Sequence, residues 1–390
     1  MNCVSDRVGL GWRPELTSKI MMNLDQIDIV EVIAENLIVA SLNMRNAMRA
    51  LAKSTSVSLH GVSMGLASAL PVDRRRLAAM ASLVHEIQPE SWSEHLSFVR
   101  AGGIEIGHLA APPRTQNTID GCLSNLAIAR QVVGAPPALE NIATLIEPLF
   151  SVLDEPSWIS AIFANTESPF LLDLHNLYAN AVNFGWEPLA LLKKLPLSRV
   201  STIHLSGGCW IGSEGGKRLL DDHIHDVPTE VFDLLTETAR RAPQPLTVII
   251  ERDGAYPPFS ELLLQIAAAR SALAAGRSSS ITPSAPGSEH CSYFGSPCSC
   301  SEFLDTGPKR SEALPNAVAV RQEVFLARLY TEPGLPERVL DDAMAEAARA
   351  ELSFADGTAL ANVDVVGLPL AVKSFRHKRE SYARFRRRPS

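Results

Sequence analysis

The chain contains no apolar run of the roughly 18 residues needed to span a bilayer. Its opening, MNCVSDRVGLGWRPEL, lacks a basic start followed by an apolar signal core. A soluble, cytoplasmic protein is expected. Basic residues are also short: 36 Lys and Arg stand against 43 Asp and Glu, a net charge of −7. General nucleic-acid binding needs a cationic surface to neutralise phosphates, so the balance argues against it. A small molecule, a peptide or another protein is left as the partner. Cysteine is scarce, six in 390 residues, too few for a disulfide scaffold. Cys3, Cys122 and Cys209 are isolated and read as reduced thiols. Cys291, Cys298 and Cys300 have the spacing C-x6-C-x-C rather than the paired C-x2-C of a structural zinc site, and read as non-ligating.

What is present is ample apolar material, 46% of the chain, enough for a large core. Apolar or β-branched runs recur at 8–12, 27–33, 56–62, 90–98, 137–143, 170–176, 200–206 and 246–252. Between them lie segments of helical periodicity such as RRRLAAMASLVHEI and TIDGCLSNLAIARQVV. This βα repetition predicts an α/β fold in which eight parallel strands close into a TIM barrel. FSELLLQIAAARSALAAG reads as the closing helix, so the barrel is assigned to 1–276. From 277 to 315 the composition turns to Ser, Pro and Gly, as in a flexible linker. Residues 316–390 read as a small unit of three helices with a basic C-terminal tail.

Six of the runs end on a group with chemistry: His60, His95, Glu140, Asp173, His204 and Glu251. In a parallel barrel, strand C-termini form the mouth where catalytic residues converge. One histidine beside an apolar run is more often a satisfied core residue. Six ionisable groups in register are costly to bury without cations or strong pairing. Three imidazoles and three carboxylates make a nitrogen and oxygen set suited to iron, manganese or zinc, with no thiolate to indicate an iron-sulfur cluster. The number exceeds what one open catalytic metal uses and implies two or more cations bridged by a carboxylate.

Further ligands lie in LLDDHIHDVPTEVF, where Asp221 and His223 share one parity if extended and so can reach one metal. His225 continues that parity at greater distance, and Asp222 faces away. The plain alternative is a polar helix start, with Asp226 near the cap and Pro228 in the first turn. In DLHNLYANAVN, Asp173 and His175 share the inward parity. Asn176 opens a loop and offers a neutral amide oxygen, while Asn180 and Asn183 read as loop-locking residues. GLGWRPEL brings Trp12 and Arg13 to the first mouth, as an aromatic wall and a guanidinium for a substrate carboxylate. EVIAEN brings Glu35 and Asn36 to the second. Packing of Trp12 and a surface pair for Arg13 are the plain alternatives.

In order along the chain, GLGWRPEL, EN at 35–36, HGVSMGLAS, SEHL, ENIA, DLHNLYANAVN, IHLSGG, DDHIHDVP and ERD resemble the multinuclear non-haem iron-dependent oxidases. That family was long known only as a domain of unknown function and is related to the oxidase of methanobactin biosynthesis. The resemblance runs from Arg7 to Leu273. It implies a TIM barrel with two or three irons, in mixed Fe(II) and Fe(III) states, that use O2 to modify cysteine or another side chain of a ribosomally made peptide. Carried over by motif, His60, His95 and Glu140 would hold one iron, with Glu140 bridging to a second near Asp173, His204 and Glu251. Asn176, Asp221 and His223 would serve a third. His60, His95, Glu140, Asp173 and Glu251 would carry catalysis, and Trp12, Arg13, Asn36 and His175 would form the substrate pocket. The chain departs from the pattern at His175, where many relatives have asparagine, and at Gly208, where many have histidine. Many relatives rely on a separate partner that binds the precursor's leader. FLARLYTEPGLPERVL and the basic tail are similar to a helical module sometimes fused to or encoded beside such barrels. Its charge would suit an acidic leader, against the alternative of a bland appendage. Two rival readings stand beside the oxidase: a divalent-metal sugar isomerase or hydrolase on the same barrel, and a non-enzymatic metal store or peptide scaffold.

Overall fold

The computed structural model describes residues 5–213, 216–279 and 316–386. The expected linker beyond 279, together with Cys3, Cys291, Cys298 and Cys300, lies outside them. Twelve strands are described: β1 (Arg7–Gly11), β2 (Ile29–Ile33), β3 (Ser56–His60), β4 (Ser91–His95), β5 (Phe98–Ala101), β6 (Ile104–Ala110), β7 (Ala138–Glu140), β8 (Phe170–Asp173), β9 (Val200–Leu205), β10 (Gly208–Ile211), β11 (Arg218–Asp221) and β12 (Thr247–Ile250). Eight of them close a parallel barrel in the order β1-β2-β3-β4-β7-β8-β9-β12, which is also chain order. Right-handed βα crossovers between sequential neighbours produce that order. The other four form the antiparallel hairpins β5–β6 and β10–β11, inserted after β4 and β9.

Buried Val8, Leu10, Val30, Val32, Val57, Leu59, Leu139, Leu171 and Ile203 explain the strands, since a parallel sheet covered on both faces favours continuous apolar runs. The register then levels the polar ends. His95 pairs with Glu140 and Asp173 with His204, so groups from neighbouring strands stand side by side at one height.

DLHNLYANAVN is not the loop its polarity suggested. Asp173 ends β8 and caps the helix Leu174–Phe184, its carboxylate accepting the Asn176 amide at 2.6 Å. The amides of this helix do lock loops, but neighbouring ones. Asn180 accepts from the Thr144 amide at 2.8 Å and Asn183 from the Leu219 amide at 2.6 Å.

The C-terminal segment forms five helices rather than three: Ala317–Thr331, Leu335–Asp341, Ala343–Arg349, Phe354–Ala361 and Gly367–Arg386. The long middle stretch breaks at Asp342, whose side chain caps the next helix through the Ala345 amide, and Ser353 begins another with a capping box. These helices pack on the barrel's mouth side. Phe325, Leu326 and Leu329 share a core with Phe98 and Ile106 of the first hairpin and with Leu145, Ile146 and Phe150. Two polar anchors join this core: Glu323 accepts from the Ser68 hydroxyl at 2.5 Å and the Ala69 amide at 2.7 Å, and Arg218 pairs with Asp364. Among the described residues no helix is long and apolar enough to cross a membrane.

Candidate metal centre

The six strand-end groups converge in one buried cluster. His60 Nε2 and His95 Nε2 approach the same Glu140 oxygen, at 3.4 and 3.2 Å. Their other ring nitrogens are occupied, His60 Nδ1 by the Ser93 hydroxyl at 2.8 Å and His95 Nδ1 by the Gly61 carbonyl at 3.1 Å. Outer partners of this kind fix the ring and leave Nε2 turned inward. His204 Nδ1 lies 3.6 Å from the second Glu140 oxygen and 3.3 Å from Glu251. His223 Nδ1 approaches Glu251 at 3.3 Å, and its Nε2 approaches Asp221 at 2.8 Å.

Within this cluster, four sets of three ligand atoms lie within 4.8 Å of one another: His60, His95 and Glu140; Glu140, Asp173 and His204; Asp173, His223 and Glu251; and Glu31, His60 and His204. His60, Glu140, Asp173 and His204 belong to two sets each, so the sets form one connected cluster across the barrel. This ordering puts Glu251 with His223. Asp221 stands one contact further out, between His175 Nδ1 at 2.7 Å and His223.

Glu31 escaped the sequence reading. It lies within β2, not at its end, and a lone charge in IVEVI was the available signal. Its carboxylate lies 2.8 Å from His204 Nε2 and accepts from the Ser58 hydroxyl at 3.3 Å. Glu94 was also missed; it holds the loop after β3 by accepting the Met64 amide at 2.6 Å.

Electrostatics follow from this crowding. Burial disfavours the His95 imidazolium, but Glu140, Glu94 and Glu251 outweigh it and push the pKa up to about 9. Burial works against the Glu140 carboxylate, yet His95, His204 and His60 hold it below the usual range. Asp173 is driven well above that range by burial, with Asp221 and Glu140 adding repulsion. One polar pocket thus holds carboxylates displaced in opposite directions, a feature of functional sites.

The residues fit metal ions. Buried Glu140 Oε2, Asp173 Oδ2, Asn176 Oδ1 and His204 Nδ1 have no hydrogen-bond partner. An unsatisfied buried acceptor costs about 1–3 kcal/mol, more if charged, so four at one place call for a cation. Asn176 shows how it is arranged: its amide nitrogen donates to Asn141 O at 3.0 Å, leaving the oxygen free. His60, His95, Glu140, Asp173, Asn176, His204, His223 and Glu251 would supply a nitrogen and oxygen set suited to iron, manganese or zinc.

The cluster opens into a chamber of about 650 Å³, within the range of ligand sites. His60, His95, Glu140, Asn176, Asp221, His223 and Glu251 line its floor, and Tyr330, Phe375, Lys378 and Arg379 of the C-terminal helices line its roof. Phe375 stacks on Tyr330 with ring centres 4.3 Å apart and meets His108 of β6 edge-on at 5.6 Å.

Of the expected pocket residues only Arg13 lines the chamber. It donates to Trp12 O at 2.8 Å and pairs with Asp253, so its guanidinium is engaged by the protein rather than free. Trp12 is buried in the barrel's core, Asn36 lies on the short helix Ala34–Ile38, and His175 is buried behind Asp221. A Cβ on Gly208 would stand 2.2 Å from Leu220 O and 2.7 Å from His175 Cε1, so the position has no room for a side chain between that backbone and the His175 ring.

A closed parallel barrel with a metal-competent cluster of imidazoles and carboxylates beneath a substrate-sized chamber defines the class of this protein. Residues 7–274 match the family model of the RiPP precursor modification enzymes MbnB/TglH/ChrH, and the chain belongs to that family. The family comprises enzymes that act on ribosomal precursor peptides. A UPF0276 protein of Streptomyces avermitilis is 35% identical over 272 residues, 68% of this chain and 54% of that protein. The chain thus spans about half the length of that relative. One from Caulobacter vibrioides is 32% identical over 277 residues, 71% of this chain and 97% of that protein. Among solved structures, an L-ribulose 3-epimerase matches at 15% identity and TM-score 0.46, covering 70% of this chain and 96% of its own. A xylose isomerase domain protein from Salmonella typhimurium matches at 12% and 0.47, covering 70% and 99%.

Proposed function

We propose that this chain is an iron-dependent oxidase that uses O2 to modify cysteine in a ribosomally synthesised precursor peptide. The observation that carries the reading is the set of buried, unpartnered oxygen and nitrogen atoms aimed at one another below the chamber. Two or three irons held there would supply O2 activation beside a position for a substrate thiolate. The protein's own part is to position and to exclude water. His60 and His95 are locked with Nε2 inward, Asn141 fixes Asn176, and Arg13 holds Asp253 at the rim. The roof helix closes the chamber with Phe375 and presents half-buried Lys378 and Arg379 to it. On this reading the C-terminal helices take over the work of a separate leader-binding partner, and their positive charge receives an acidic segment of the peptide.

The test is metal content with Mössbauer spectra of protein grown in iron-57, followed by O2 uptake with cysteine-containing peptides. Two or more irons per chain in mixed ferrous and ferric states, with O2 uptake that depends on peptide, are expected. Zinc or manganese filling the cluster, with iron absent even after anaerobic loading, would overturn the reading in favour of isomerase or hydrolase chemistry.

A further inference from the structure

The β10–β11 hairpin carries part of the inner cluster on one face and a different set of ligating groups on the other. Gly208 pairs with Asp221, whose carboxylate faces His175 and His223. One position along, Cys209 pairs with Leu220. Asp222, two residues beyond Leu220, falls on the face of Cys209 by the alternation of a strand. Unbroken alternation would send His225 inward with Asp221 and His223. His223 instead adopts φ 57°, a left-handed conformation that is uncommon outside glycine and reverses the parity of the chain. The turn is held by Asp222, whose Oδ1 accepts the Ile224 amide at 3.1 Å and lies 2.9 Å from His225 Nδ1. His225 therefore points outward, and the expectation that it continues the inward parity is corrected. The result is that a sulfur of Cys209, a carboxylate oxygen of Asp222 and a ring nitrogen of His225 lie within 4.8 Å of one another.

We propose that Cys209, Asp222 and His225 form a separate metal site at the rim that takes a borderline divalent cation of the zinc class. Thiolate, imidazole and carboxylate are the ligand types such ions accept, and three of them leave one tetrahedral position open. The inner cluster contains no sulfur, so the hairpin separates cations by softness: a nitrogen and oxygen set inside, a thiolate set outside. His225 is half-exposed, which leaves the site accessible to an ion from solution. An ion there ties β10 to the segment that follows Asp221 and carries His223, holding two inner groups from outside.

Cobalt(II) alone is the probe, added anaerobically to the full reduced chain, because thiolate-to-cobalt charge transfer in the near ultraviolet reports sulfur ligation and the inner cluster gives none. The wild type is expected to develop the band up to one equivalent per chain, Cys209→Ser to lose it, and His225→Asn to reach less of it at equal cobalt. Serine keeps a hydroxyl beside Asp222, so the variant should melt as the wild type does. Should it fail to fold, His225→Asn, a change at an exposed side chain, carries the test. Absence of the band in the wild type at saturating cobalt would overturn the proposal. So would a band that survives both substitutions, which would place the metal on other cysteines.

Discussion

Replacing Glu323 by glutamine should remove a pH dependence from the seating of the C-terminal helices on the barrel. Glu323 is fully buried in the helix Ala317–Thr331, where it accepts from Ser68 and Ala69. Among the described residues no cation pairs with it. Burial therefore outweighs its two hydrogen bonds and pushes the pKa up from 4.5 to about 7. The detached, solvated carboxyl loses its proton near 4.5, the seated one near 7. Between these values the seated state holds more proton, so its stability falls as pH rises and levels off above 7. The whole displacement corresponds to about 3 kcal/mol. The part between pH 5.5 and 8 is about 2 kcal/mol, roughly 30-fold in the seating equilibrium. Glutamine keeps both contacts, its carbonyl accepting from Ala69 and its amide donating to Ser68, without a charge to bury. Hydrogen exchange of the amides at 317–331, corrected for intrinsic exchange, is the assay. Wild-type protection is expected to drop about 30-fold between pH 5.5 and 8, and that of Glu323→Gln to stay level. A level wild-type profile, or the same slope in both proteins, would refute the reasoning.

Glu31→Ala should weaken metal binding by about 10–100-fold, the usual effect of losing an outer carboxylate of a ligating histidine, because His204 Nε2 loses its neighbour at 2.8 Å. Titration against a competing chelator measures it, and unchanged affinity would show that Glu31 does not serve the cluster. Gly208→Ala should destabilise the protein by about 1–3 kcal/mol, since the added methyl would meet Leu220 O at 2.2 Å and His175 at 2.7 Å. Urea unfolding reads this, and a neutral result would mean that the hairpin yields at that point.

How much of this was legible in the sequence depended on distance along the chain. The barrel could be read because short apolar runs and the helical periodicity between them are local properties. The convergence of His60, His95, Glu140, Asp173, His204 and Glu251 could be read because topology alone sends every strand's C-terminal end to one mouth. Glu31 could not, since a charge in mid-strand becomes intelligible only when β2 closes beside β3 and Glu31 comes into contact with Ser58 and His204. Nor could the orientation of His225, which turns on a single left-handed φ at His223 that alternation does not anticipate. The helical roof is the largest such case. Its amphipathic pattern announced helices, but Phe375, Lys378 and Arg379 belong to the chamber only because Glu323, Arg218 and the apolar core hold distant segments together. Sequence determined which groups stand at the strand ends, because that is a matter of local periodicity and chain direction. Tertiary structure decided which groups touch and what covers them, because those contacts join residues far apart in the chain.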